Sequence, residues 1–302
     1  MNLLPGAIVE PQTPPPTVRV RELTKRYGTL LAADRVSFDV PEGSIFGLVG
    51  PNGAGKTTTL SVMATLLLPT SGAVEVVGLN PSTDPRAVRR VVGYMPDSLG
   101  VYDNLEVSEY LRFFADAYDL PRAQWPSLVD GLLELVDLGA KRHAMVNSLS
   151  RGMKQRLSLA RALVHDPRVL LLDEPASGLD PRARVELRDL ILQLQTMGKT
   201  VIVSSHILPE LQEICTHVAI MEAGRLLVAG TPQAILTGLG SGRKVRVRFR
   251  DDHTEEFVVA DQDEQAALLR RLLGEGQDVM EFVEVGSDLE DLFMRITRGV
   301  VQ

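Results

Sequence analysis

Gly50-Pro51-Asn52-Gly53-Ala54-Gly55-Lys56-Thr57 fits the pattern G-x-x-x-x-G-K-[ST], a loop that cradles phosphate. The apolar run Ser44–Val49 before it reads as a buried strand, and Thr57–Leu68 after it reads as a helix. Strand, glycine loop and helix are the context this motif requires. Glycines tolerate positive φ and let the backbone come close to an oxyanion. The loop N–H groups and the positive end of the following helix then face the phosphates. Lys56 is expected to set its ammonium between the β- and γ-phosphates, and Thr57 to give its hydroxyl to Mg²⁺. A glycine turn that binds nothing is the alternative, and the flanking strand and helix weigh against it.

With 302 residues the chain has room for one large domain or two unequal ones. Hydrophobic residues make up 44%, enough for an ordinary globular core. A net charge of −7 weighs against a protein that mainly holds nucleic acid. The one cysteine, Cys215, excludes an internal disulfide and reads as a small buried residue. Met1–Pro5 carries no basic stretch before an apolar core, unlike a secretory signal. The apolar heart Leu60–Leu68 is too short to span a bilayer. The chain is therefore expected to be soluble by itself, with any membrane part provided by another chain.

Residues 1–16 are proline-rich and expected to be a disordered lead-in. Val18–Leu23 and Arg35–Val40 alternate as strands around a turn at Tyr27 and Gly28. Tyr27 stands close before the phosphate loop, where an aromatic ring can stack on a purine. The alternative is a half-buried core tyrosine. Ala73–Val77 reads as a strand, Pro85–Val92 as a short helix, and Gly93–Asp97 as a strand end stopped by Pro96. Val107–Tyr118 and Trp125–Leu138 read as helices. Their stripes, including Tyr110, Leu111, Phe113 and Phe114, are expected mostly in the core, with a docking surface as the alternative.

Leu149–Met153 precedes a basic amphipathic helix over Lys154–Val164, for which Ser150 is a good N-cap. A serine, a glycine backbone and a helix N-terminus together also make an anion site. Arg168–Leu172 is an apolar strand that ends in Asp173-Glu174-Pro175. Such a strand end is where an α/β sheet delivers catalytic carboxylates. Adjacent strand residues point to opposite sides, so one carboxylate is expected to serve a metal and the other a water. Ser177–Pro181 turns into a long helix, Arg182–Thr196, and Val201–Val203 is a buried strand running to Ser204-Ser205-His206. A lone histidine is more often structural, but its strand-end position marks His206 as a candidate. Gly238–Gly242 reads as a linker. Beyond it, strands near Val245–Phe249, Phe257–Val259 and Val279–Val285 and helices at Glu264–Leu273 and Asp288–Ile296 form a small α+β unit without a nucleotide or metal constellation.

In this order, over Val18–Ile235, these pieces resemble the ATP-binding subunit of an ABC transporter. Gly50–Thr57 is similar to the Walker A loop and Val169–Glu174 to Walker B, with a D-loop ending in Asp180. Ser150–Met153 is similar to the family signature, His206 to the switch histidine, and Tyr27 to the adenine-stacking aromatic. The resemblance implies an α/β fold: a P-loop NTPase, ABC-type ATPase domain over 17–237 with an inserted helical subdomain at about 98–165. A small C-terminal α+β accessory domain follows over 238–302. It implies ATP and Mg²⁺ as cofactors. Gly50, Pro51, Asn52, Gly53, Ala54, Gly55, Lys56, Thr57 and Thr58 would surround the phosphates, with Ser150, Gly152 and Asp180 completing the nucleotide contacts. Thr57, Asp97 and Asp173 would serve the metal. Glu174 would act as base or water-positioning group, His206 would sense the γ-phosphate, and Lys56 would assist catalysis.

Two positions depart from the family pattern. Arg151-Gly152-Met153 stands where Gly-Gly-Gln is usual, and Asp97 where glutamine or glutamate is usual. Family partners are a second ATPase subunit facing head to tail, with ATP between the two, and a separate integral membrane permease. Nucleic acid is not among them, and the implied place is the cytoplasmic face of the cell membrane. Leu289–Phe293 in the last helix is similar to the appendage on ATPases of simple export systems. The alternative is a soluble ABC ATPase without transport, of the assembly-factor type. ABC ATPases acting on DNA or ribosomes usually carry a long coiled coil or two cassettes, and this chain has neither. A binding module that never hydrolyses would have lost Glu174 or Lys56.

Overall fold

Two strands with alternating burial, β1 (Val18–Tyr27) and β2 (Leu30–Val40), pair antiparallel ahead of the fully buried β3 (Ile45–Val49). The computed structural model describes residues 15–97, 104–238 and 243–285. Residues 1–14 of the expected lead-in, linker residues 239–242 and the expected helix Asp288–Ile296 with Leu289–Phe293 lie outside the described residues.

After β3 come α1 (Lys56–Met63), β4 (Ser71–Val76), α2 (Pro85–Val91) and β5 (Val92–Met95). A helical stretch follows with α3 (Val107–Ala117), α4 (Trp125–Leu135) and α5 (Arg151–Leu163). The chain returns to sheet with β6 (Val169–Leu172), then α6 (Pro181–Thr196), β7 (Thr200–Ser205), α7 (Leu208–Gln212), β8 (His217–Glu222), β9 (Arg225–Gly230) and α8 (Pro232–Gly238). The last described elements are β10 (Arg243–Phe249), β11 (Thr254–Val259), α9 (Gln262–Gly274) and β12 (Val279–Val285).

The central sheet has six strands in the order β5-β6-β7-β3-β8-β9. All neighbours are parallel except β8 and β9. The runs Ile45–Val49 and Val169–Leu172 are apolar throughout because both faces of this sheet are covered. Alternation sorts their side chains between two cores. Ile45, Val49, Leu170 and Leu172 face a core shared with α3–α6, whereas Phe46, Leu48, Val169 and Leu171 face one built with α1 and the sheet β2-β1-β4. Phe38 and Phe46 stack across that second core with centroids 5.1 Å apart. β10, β11 and β12 form a separate three-stranded sheet under α9, with its own cluster of Val245, Val247, Phe249, Val259, Leu268 and Leu272.

Three differences from the sequence reading have physical causes. The helix expected through Leu68 ends at Met63 because Thr65 turns left-handed, with φ 63°. Thr65 N then donates to Val62 O (3.1 Å) and Leu66 N to Ser61 O (2.9 Å), a Schellman closure made without glycine. Leu66 and Leu68 are left exposed. β8 and β9 were not anticipated, although Val218–Met221 is an apolar run that pairs with β3. Phe113 does not join the core that holds Tyr110 and Leu111 but is exposed on α3. Cys215 is buried as expected, and burial pushes its thiol up to about 12.

Helix α5 meets β5 at Gly93. A Cβ there would collide with the carbonyl oxygen of Ala162 and stand 2.8 Å from Leu170 Cδ2 and 2.9 Å from Pro167 Cγ. Gly93→Ala is expected to lower the unfolding free energy by about 1–3 kcal/mol through overpacking. The measurement is the urea midpoint at unchanged m-value, and an unmoved midpoint would show that α5 recedes freely.

Candidate functional site

The loop after β3 folds tightly. Gly55, with φ 97°, precedes the first helical residue Lys56, and a Cβ on it would collide with Ala32 O. One on Gly50 would collide with Met221 O. These two approaches leave glycine alone at each position. The loop delivers Lys56, only 5% exposed, onto a set of oxygens. Its Nζ donates to Gly50 O at 2.6 Å and Pro51 O at 3.2 Å and lies 3.2 Å from Glu174 Oε1. The other carboxylate oxygen, Glu174 Oε2, is 2.8 Å from His206 Nδ1.

Asp173 is almost fully buried beside this set. Its Oδ1 accepts from Ser204 Oγ at 2.6 Å and from Thr57 Oγ1 at 3.2 Å. Burial raises the pKa of Asp173, the two hydroxyl donors oppose the rise, and the nearby charges of Glu174 and Asp97 add to it. The arrangement thus gathers carboxylates against one ammonium, and a further cation would offset their charge. Thr57 and Asp173 offer the hard oxygen donors that Mg²⁺ prefers. Among the described residues no group of three or more His, Cys, Asp or Glu side chains is arranged to hold a metal ion unaided.

The reasoning that placed Asp173 and Glu174 on opposite faces of a strand fails. β6 stops at Leu172, and Glu174 is left-handed with φ 48°. The two carboxylates still take different partners, because the bend after Leu172 turns Glu174 toward Lys56 and His206. Ser204 was missed as a site residue. It holds Asp173 Oδ1 and also accepts from Glu174 N at 2.9 Å. Its signal was its place at the end of an apolar strand, two residues before His206.

A cavity of about 330 Å³ brings together Tyr27, Asn52–Thr58, Asp97 and Glu174. Tyr27 is 47% exposed at this cavity, which excludes the core-tyrosine reading. Lys25 Nζ lies 5.2 Å from its ring centre. Ser150, Gly152 and Asp180 do not line the cavity. Ser150 Oγ accepts from Met153 N at the start of α5, and Asp180 Oδ1 from Ala183 N at the start of α6. A Cβ on Gly152 would lie 3.6 Å from Ala183 Cβ, so the two helix heads sit side by side.

Residues 33–177 match the family model described as ABC transporter. The chain is 34% identical over 312 residues to Nod factor export ATP-binding protein I of Paraburkholderia xenovorans (strain LB400), covering 96% of this chain and 99% of that protein. It is 40% identical over 221 residues to the probable multidrug ABC transporter ATP-binding protein YbhF of Escherichia coli (strain K12), covering 73% of this chain and 38% of that one. A solved ATP-binding subunit of an ABC transporter superposes with a TM-score of 0.68 at 30% identity, over 74% of this chain and 93% of the other. Among the described residues no helix is long and apolar enough to cross a membrane.

Removing the Ser204 hydroxyl leaves a buried carboxylate oxygen and the Glu174 N–H short of a partner. Ser204→Ala is expected to lower stability by about 1–3 kcal/mol. Chemical denaturation measures the loss, and an unchanged midpoint would show that this hydroxyl does not hold the two carboxylates.

Proposed function

The chain belongs to the ATP-binding proteins of ABC transporters, and from that premise we propose that it hydrolyses ATP to drive export through a separate membrane permease. The observation that carries the reading is the meeting of Lys56, Thr57, Asp173, Glu174 and His206, drawn from three strand ends, beside the glycine loop. The Nod factor export relative, similar along nearly the whole chain, favours export over a transport-free ATPase.

In this reading the Tyr27 ring stacks on the adenine. The loop N–H groups and the Lys56 ammonium hold the β- and γ-phosphates, for which the ammonium exchanges its contact with Glu174. Thr57 and Asp173 would hold Mg²⁺, with Asp97 as a further oxygen donor at the same cavity. Mg²⁺ held there would supply the positive charge that offsets charge developing on the phosphate oxygens. Glu174 orients the attacking water and takes its proton, and His206 holds Glu174 Oε2 while sensing the γ-phosphate. Ser150 and Gly152, lying outside the cavity, serve the nucleotide of a second copy facing head to tail. ATP then joins two subunits, hydrolysis releases them, and the cycle moves the permease at the cytoplasmic face of the membrane. The nucleotide domain occupies 17–237, with the helical subdomain near 98–165 and the accessory domain at 238–302.

Glu174→Gln is expected to keep Mg²⁺–ATP bound and slow hydrolysis by about a hundredfold or more. Light scattering should find this variant as an ATP-dependent dimer, and adding Ser150→Arg should return it to monomer with nucleotide still bound. A Glu174→Gln chain that stays monomeric at saturating ATP would count against self-pairing. A chain ending at residue 240 is expected to bind a fluorescent ATP analogue as the full chain does. Loss of binding there would make the tail part of the nucleotide domain.

A further inference from the structure

Arg151 is the first residue of α5, immediately after the cap Ser150. A cation at this end opposes the helix macrodipole, so helix stability does not explain its presence. Nor does a place in the nucleotide cavity, which it does not line. Its guanidinium lies flat over Gly178: a Cβ there would stand 2.5 Å from the guanidinium carbon and 2.7 Å from each terminal nitrogen. Gly178 is left-handed, with φ 66°, a conformation that strains a side chain, and a Cβ there would have to push the guanidinium aside.

Gly178 belongs to the turn that begins at Glu174. Ser177 N donates to Glu174 O at 3.0 Å, and Leu179 N to Ala176 O at 3.2 Å. Glu174 itself sits at φ 48°, a region a non-glycine residue holds only when its surroundings impose it. Ser204 Oγ accepts its N–H on one side, and the turn holds its carbonyl on the other. The Arg151 guanidinium lies against the far end of that turn.

We propose that Arg151 is a positioning residue: stacked on Gly178, it braces the Glu174–Leu179 turn and so keeps the Glu174 carboxylate between Lys56 and His206. This assignment rests on the ATPase reading above. It makes the head of α5 a support for hydrolysis within the same subunit, besides any contact it makes with a partner's nucleotide. The Arg151 side chain acts through the turn and touches neither substrate nor reacting atoms.

The test is ATP hydrolysis by the full-length chain and its Arg151→Ala, Arg151→Lys, Gly178→Ala and Arg151→Ala/Gly178→Ala variants, with kcat and KM measured separately. Arg151→Ala is expected to lower kcat about five- to tenfold with KM unchanged. Arg151→Lys should not restore it, because an ammonium lacks the planar face that stacks. The double variant should lose no more than Gly178→Ala alone, since neighbours that act through one contact are not additive. Unchanged kcat in Arg151→Ala, a loss that appears in KM, or strictly additive losses would each overturn the proposal. If Gly178→Ala does not fold, Gly178→Asn replaces it, as asparagine tolerates the left-handed conformation. A wild-type chain that does not hydrolyse ATP at all overturns the proposed function itself, whereas wild-type turnover with additive losses overturns only the role of Arg151.

Discussion

The buried ammonium of Lys56 is the constraint around which the structure is arranged. A charge with 5% exposure persists only when paired and hydrogen-bonded. Here the loop's own carbonyls, Gly50 O and Pro51 O, provide part of that environment, and Glu174 provides the opposite charge. Neither source would be within reach of the other without the sheet. The loop follows β3 and Glu174 follows β6, and β7 lies between those two strands. β7 in turn carries Ser204 as its next-to-last residue and leads to His206, and these two hold Asp173 and Glu174. Parallel pairing puts the C-terminal ends of all three strands on one edge of the sheet, where open α/β sheets bind their ligands.

The electrostatics follow from the same convergence. Burial, with a smaller addition from the charges of Glu174 and Asp97, shifts Asp173 toward its neutral form. The hydroxyl groups of Ser204 and Thr57 oppose the shift and offset it only in part. A polyphosphate alone would add negative charge to an already acidic site. Bound together with a divalent cation it brings the compensating charge, and Thr57 and Asp173 present oxygens suited to such an ion. The overall charge of −7 is thus no obstacle to binding an anion, because recognition rests on loop N–H groups, one ammonium and a metal and not on net charge.

What was legible in the sequence were the pieces whose chemistry is local. Gly50–Thr57 specifies its own turn and the start of α1. Ser150 and Asp180 were placed at helix starts, and both cap them. Val169–Leu172 was read as a buried strand ending in carboxylates, which it is. Long-range partners were not legible. Ser204 looks like any strand-end serine until β6 is laid beside β7, and Arg151 reads only as a departure from a pattern until the heads of α5 and α6 meet. Local backbone choices also escaped. Thr65 ends α1 in a conformation usually given to glycine, and Glu174 leaves the strand that its position seemed to continue.

The helical stretch is fastened to the sheet at the strand that leads to Asp97. Arg161 on α5 donates to Tyr94 O at 2.9 Å while its guanidinium lies 5.4 Å from the Phe114 ring of α3. The Tyr94 hydroxyl faces Ser61 on α1, and burial raises its pKa to about 12. His165, stacked on Tyr118 at 3.9 Å, bonds Val92 O at the start of the same strand. Helices α3 and α5 therefore grip β5 at both of its ends. Through Tyr94 they also reach the helix whose first residues are Lys56 and Thr57. Asp97, just beyond β5, is mounted on the element that joins the helical stretch to the phosphate loop, so its position depends on both.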